Sequence, residues 1–395
     1  MVTARKIPLW LLGLITLSGS LGMHVFVPAL PLAGMELGAD PRLMQWTIVA
    51  YILGMALGQP FYGPIADRWG RRPVLLAGLA TFVVGGAAAG LATGAHGLIA
   101  SRFVQALGGS AGLVLGRAIV RDSAMAGEAA SKLALMNLSM TIGPGLAPLV
   151  GGAIATLLGW RAIFAVLTVV GLANLACVYA LLPETRAVRA DKGPSVLRGY
   201  GHLLRSPAYL YYTIGGGCAT SSLYAFISAA PLIFVHQLHK DPANLGFYLT
   251  TIALGLSAGA LTANRISRRV AVHRLLGWAT LVSLLGAGTF LASVLAGQLG
   301  VAVTLASIAV FTFGAGLASP SALAEALGVD PALAGSASGL YGGLQMASGS
   351  VFAALSGVGG NPALAAALVL VGAVLASQWC FWRADRLQAR APALA

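Results

Sequence analysis

Charge is what this sequence has least of. Only 9% of its 395 residues are charged, and acids number 11 against 24 lysines and arginines. A soluble chain carries roughly 25% charged residues, so an ordinary globular domain in water is excluded. Cysteine is scarce too. Cys177, Cys218 and Cys380 each fall inside an apolar run, and no two have metal-ligand spacing. They read as small packing residues, which excludes a disulfide scaffold and a zinc module. Enzyme signatures are also missing: there is no phosphate-binding loop, no paired-histidine helix motif and no nucleophile elbow. No catalytic residue, metal ligand or cofactor is expected.

Apolar residues fill the chain instead. They make up 58% of it, at a mean hydropathy of +0.85, in repeated runs. About 20 apolar residues cross roughly 30 Å of hydrocarbon as a helix. The runs predict an all-α membrane protein with twelve spans: 8–32, 44–66, 73–92, 97–120, 131–157, 162–182, 208–234, 243–263, 273–295, 299–323, 333–356 and 362–382. The net charge of +13 suggests nucleic acid, but its distribution argues otherwise. Arg42, Arg161 and Lys240 hold one set of loops; nearly all other basic residues, Arg68 to Arg72 and Arg265 to Arg274 among them, hold the opposite set. That is the positive-inside asymmetry, with both termini in the cytoplasm. Arg5-Lys6 before an apolar stretch resembles a signal peptide, yet the stretch continues to Pro31, too long for a cleaved segment.

The most informative segment is the turn Gly63–Pro73, which carries Asp67, Arg68, Arg71 and Arg72 between long apolar runs. Each such charge costs roughly 2.5–3.5 kcal/mol at a bilayer centre, so the cluster lies at a membrane edge and fixes a helical hairpin. Gly63 and Gly70 permit close helix approach and a tight turn. Asp67 can accept from a neighbouring helix start or pair with an arginine. Such a contact would hold a cytoplasmic gate; alternatively the loop only sets topology.

The chain also repeats itself. Ala66–Arg72 reappears as Ala263–Arg269, 197 positions later, and Phe26–Pro31 reappears as Phe226–Pro231, 200 positions later. The second copy has Asn264 for Asp67 and Ser267 for Gly70, so any gate is asymmetric. The expected layout is two pseudo-symmetric six-helix bundles, 1–183 and 208–395, joined by a cytoplasmic connector, 184–207. Within it Pro194–Ser206 reads either as a surface helix, with Leu197, Tyr200, Leu203 and Leu204 on its apolar face, or as a plain tether. Parallel repeats of this type occur in transporters whose site lies near the midplane.

Three motifs carry a family resemblance over nearly the whole chain. They are Gly63–Arg72, the fourth-span string Arg102–Gly108 with Gln105, and the fifth-span string Gly143–Gly152. Together they resemble the major facilitator superfamily in its twelve-helix drug:proton antiporter branch. Val27–Pro31, Gly58-Gln59-Pro60 and Arg117–Asp122, with Arg121, look like its bicyclomycin- and chloramphenicol-resistance exporters. The resemblance implies that Gly143, Pro144, Gly151 and Gly152 form an antiporter hinge; the bland reading is packing glycines.

Every acid falls at a loop or membrane edge, so no carboxylate sits near a helix centre. This departs from many proton-coupled relatives, where an acid stands near the place of His24. His24 lies about 24 Å along the first span at 1.5 Å per residue, a depth similar to Arg102. The hypothesis is that His24 carries the coupling proton and Arg102 lowers its affinity. The alternative is a neutral histidine bonded to backbone or lining the cavity. Arg117 either functions or snorkels to the interface. Gln59, Gln105, Asn137 and Gln345 are helix–helix contacts or cargo contacts. Phe26, Tyr51, Tyr224 and Phe226 are candidate walls of a mostly apolar pocket.

The expected activity is export of small amphipathic, antibiotic-like compounds by proton antiport across a bacterial inner membrane. The expected partners are a small-molecule cargo, protons and the lipid bilayer, with no nucleic acid, and the protein is expected to be a monomer. A metabolite exporter, a passive facilitator and a transporter-like sensor are the alternatives.

Overall fold

The computed structural model describes residues 7–123, 145–185, 196–267 and 269–390, and among them every regular element is a helix. The chain forms two compact units, Met1–Gly193 and Pro194–Ala395.

In the first unit the opening span is not one continuous helix. α1 (Leu9–His24) stops, a 3₁₀ turn covers Val27–Ala29, and α2 (Leu30–Glu36) follows. Pro28 and Pro31 sit at the starts of the two later pieces. Proline has no N–H to continue α1, but its fixed φ suits a first turn. α3 (Pro41–Trp69) starts at Asp40, whose side chain accepts from the Arg42 N–H at 2.7 Å. Pro60 and Pro64 lie inside α3 without ending it; Gly70 ends it, at φ 100°. α4 (Arg71–Gly90), α5 (Ala95–Ser123), α6 (Gly145–Leu158) and α7 (Trp160–Leu181) complete the unit.

α5 is the hub, packed by α1, α3 and α4. Glycines make the approach possible. A Cβ at Gly85 would sit 2.6 Å from Gln105 Cα, and one at Gly109 would sit 2.9 Å from Gly19 Cα. Lipid tails are as apolar as leucine, so such small-residue contacts, rather than exclusion of water, hold spanning helices together. Gly63 behaves otherwise. A side chain there would meet nothing within 4 Å, so the expectation of close approach at Gly63 is corrected: the chain around it is open.

The second unit contains α8 (Val196–Arg205), α9 (Pro207–Ser221), α10 (Leu223–Pro231), α11 (Leu245–Ile266), α12 (Val272–Leu295), α13 (Val301–Gly328), α14 (Ala334–Leu355) and α15 (Pro362–Arg390). The seventh span is also interrupted, at Ser222 between α9 and α10, and a π-helical turn covers Leu232–Gln237. α13 is the hub here: Gly259 and Gly286 bring α11 and α12 against the Phe311–Phe313 backbone. α8 packs on α9 and α14, with Leu203 fully buried among Tyr209, Leu275 and Ala337. The expected surface segment is thus, over Val196–Arg205, a helix docked on its own unit, although Leu204 remains 46% exposed.

Among the described residues, ten helices are long and apolar enough to cross a membrane. α14 is not among them, because Gly335, Ser336, Gly339, Gly342, Gly343, Ser348, Gly349 and Ser350 dilute its apolar content. Most of the fifth expected span, 131–157, precedes α6 and lies outside the described residues. Bare leucines such as Leu157, Leu158 and Leu285 cover the flanks, where lipid rather than water is the natural neighbour.

Candidate functional site

The deepest charge in the first unit is Arg102, 1% exposed on α5. A buried guanidinium is tolerated only with partners. Its first is one turn away on the same helix: Nη1 donates to Gln105 Oε1 at 2.6 Å. The others are rings. The guanidinium carbon lies 3.9 Å from the Tyr51 ring centroid, 5.3 Å from Phe26 and 5.7 Å from Phe164. Each face of a ring attracts a cation by about 0.5–2 kcal/mol, more when water is excluded. Nε of Arg102 and Nε2 of Gln105 have no hydrogen-bond partner.

Three separate segments build this cage. Phe26 is supplied by the break between α1 and α2, Tyr51 by the middle of α3, and Phe164 by the second turn of α7. The Tyr51 hydroxyl donates to the Gly19 carbonyl at 2.7 Å, which fixes its ring. Trp160 packs edge-on to Phe164 and donates through Nε1 to Glu36 Oε2 at 2.6 Å. Arg161 donates to the other Glu36 oxygen and, at 3.0 Å, to the Ala92 carbonyl. The rings around Arg102 are thus tied to the outer ends of α2 and α4.

His24 is half-buried at the end of α1, and its Nδ1 lies 2.9 Å from the Ser20 carbonyl. A carbonyl only accepts, so Nδ1 carries the hydrogen and the neutral ring leaves Nε2 bare. The polar partner of Arg102 is Gln105 rather than His24.

At the opposite end of the unit, Arg71 is buried between two carboxylates, Asp67 at 2.6 Å and Asp122 at 3.1 Å. Glu184 closes the group. Its two oxygens accept from the backbone N–H groups of Arg71 and Arg72 at 2.9 and 3.2 Å, capping the start of α4. Arg72 donates to the Tyr179 carbonyl at 2.6 Å. Arg68 is exposed, and Arg117 is half-buried on α5. A Cβ at Gly70 would crowd Glu184 Oε2 at 2.6 Å, so this positive-φ residue also makes room for the cap.

The remaining expected residues scatter. Gly108 packs on the α4 backbone at Phe82, and Gln59 is buried on α3. Gly151 seats α6 against the Val25 carbonyl, at the break beside His24; Gly152 is buried next to it. Gly143, Pro144 and Asn137 lie outside the described residues, as does the side chain of Arg121. In the second unit, Gln345 donates to Thr220 Oγ1 at 2.7 Å, and the Tyr224 ring lies against Gly349. Phe226 is wholly buried against Phe234 and Phe290.

This arrangement of helices has known counterparts. The sequence profile described as the Major Facilitator Superfamily matches residues 12–354. The chain belongs to that superfamily. It is 30% identical over 377 residues to Multidrug resistance protein D of Escherichia coli (strain K12), covering 94% of each chain. It is 26% identical over 351 residues to a Bicyclomycin resistance protein homolog of Haemophilus influenzae, covering 87% of each. A solved structure of the xylose transporter XylE from E. coli superposes with a TM-score of 0.75 at 14% identity, over 95% of this chain and 96% of that one, which speaks to fold alone. This superfamily member is a multi-pass membrane transporter for a small-molecule substrate, and not an enzyme.

Sequence reasoning missed Phe164, Trp160 and Glu184 as members of these groups. Glu184 had a usable signal: an acid placed directly after an apolar run, at the basic edge. Phe164 had none, because its role depends on which helices meet.

Proposed function

We propose that this protein is a secondary active exporter of small amphipathic, antibiotic-like compounds, driven by exchange for protons. Twelve spans in two pseudo-symmetric bundles rock about a chamber near the midplane of a bacterial inner membrane, with both termini in the cytoplasm. The observation that carries this reading is Arg102, a guanidinium enclosed by three rings and one glutamine, with no carboxylate partner among the described residues. Such a cage suits flat apolar cargo that is neutral or weakly anionic, and disfavours strong cations. The resistance functions named for its relatives support the same cargo class.

His24 is the proton carrier in this scheme. Its bare Nε2 can take a proton while Nδ1 stays on Ser20, and Arg102 at similar depth promotes its release. The Asp67–Arg71–Asp122 group, with Glu184, is the gate at the basic edge, closed by pairing and opened when Arg71 lets go. Gly151 and Gly152 let α6 hinge against the break in the first span. Tyr224 and Gln345 supply the cargo contacts of the second bundle, and the protein works as a monomer.

The test is expression in an exporter-deficient bacterium challenged with an antibiotic panel, with and without an uncoupler. Resistance that disappears on uncoupling is the expected result. Protection that survives uncoupling sinks proton exchange, and undiminished coupled flux in His24→Asn proteoliposomes sinks the role of His24.

A further inference from the structure

The duplicated basic turn has two fates. In the first unit its charges are consumed internally: Arg71 pairs with Asp67 and Asp122, and the Arg72 side chain bonds the Tyr179 carbonyl. In the second unit Asn264 stands where Asp67 stands, and the acid is gone. Arg265 and Arg269 are exposed there, and among the described residues neither has a carboxylate partner. Glu325 and Asp385, the acids 203 and 201 positions after Asp122 and Glu184, leave these arginines unpaired; Asp385 instead accepts from the Tyr212 hydroxyl at 3.1 Å.

These two arginines line an open surface depression with Asn264, Leu261, Ile266 and Val270. It lies at the end of the span Pro242–Ile266 and the turn that follows it. Its apolar side does not stop at Leu261. Phe247, Leu254 and Leu261 are all exposed and recur every seven residues on α11, so they fall on one stripe running from the far end of the span to the guanidinium of Arg265. Cations end the stripe where a phosphate would sit, and bare hydrocarbon follows where tails would lie.

We propose that this groove is a binding site for an anionic phospholipid, with the phosphate headgroup held by Arg265 and Arg269 and an acyl chain laid along Leu261, Leu254 and Phe247. Charge complementarity selects an acidic over a zwitterionic headgroup. The apolar stripe selects a lipid over a free phosphate, which would have no use for it. None of its residues belongs to the Arg102 or Arg71 groups.

The full-length protein is to be examined by native mass spectrometry after equilibration with phosphatidylglycerol and phosphatidylcholine of identical acyl chains. The wild type is expected to retain phosphatidylglycerol preferentially. About fivefold of that preference should be lost for each of Arg265→Gln and Arg269→Gln, at about 1 kcal/mol per basic residue near an anionic surface. Asn264→Asp, which returns a carboxylate to the groove without removing either arginine, should also weaken it. Arg42→Gln, at an exposed arginine outside the groove, should leave it unchanged. The proposal is overturned if the wild type shows no headgroup preference or if the double arginine variant keeps it. It is equally overturned if soluble glycerol phosphate displaces the lipid, which would make the groove a site for free anions.

Discussion

Gln105→Leu is the perturbation that best tests the Arg102 cage. It deletes the one hydrogen-bond acceptor that the described residues offer a guanidinium that is 1% exposed and whose Nε already lacks a partner. A hydrogen bond to a charged group contributes about 1.5–3 kcal/mol, and the loss is felt in full when the cation cannot reach water. The rings of Tyr51, Phe26 and Phe164 remain, so the cation is weakened in its seat but still enclosed. The midpoint of thermal unfolding in lipid nanodiscs, followed by tryptophan fluorescence, should fall by about 3–12 °C at about 2–4 °C per kcal/mol for a unit of this size. Arg102→Met alone should cost less, because it strands a neutral amide rather than a charge. The double variant Arg102→Met/Gln105→Leu removes both partners and should recover most of the stability, yet transport should be lost with the cation. A stability of Gln105→Leu within about 0.5 kcal/mol of wild type, or a double variant less stable than either single one, would refute the reasoning.

Glu184→Ala removes the acceptor for the first two N–H groups of α4 and should destabilise the unit by about 1–2 kcal/mol; a thermal shift shows this, and Glu184→Gln should recover part of it. Gly151→Val should abolish drug resistance while the protein still reaches the membrane, because a side chain there collides with the Val25 carbonyl; immunoblotting with a resistance plate separates the two effects. Gly63→Ala, where a methyl group meets open space, should leave the thermal stability unchanged. Glu36→Gln keeps an acceptor for the Trp160 indole but loses the charge facing Arg161, so it should change stability by less than about 1 kcal/mol, whereas Glu36→Leu should cost more.

The membrane class, the helical content and the place of the basic turn were legible from composition and spacing alone. Apolar length and charge avoidance are properties of each segment, and lipid acts on each segment separately. The breaks in the first and seventh spans were half legible. Pro28 and Pro31 announce a stop in the first, while the interruption at Ser222 has no proline at its position. The partners of Arg71 were partly legible. Asp67 lies one helical turn before it, but Asp122 and Glu184 come from 51 and 113 positions away.

By itself, then, the sequence determined that this chain is built of spanning helices with its charges at their ends, because each helix must satisfy its backbone and shed its charge before it meets any neighbour. Only the tertiary structure decided that Arg102 is seated among Phe26, Tyr51 and Phe164, and that Arg71 of the first basic turn sits between two carboxylates while, among the described residues, Arg265 and Arg269 of the second have none. Those outcomes depend on which side chains from distant segments arrive at one point, and glycine-mediated packing around α5 and α13 sets that convergence rather than any local pattern.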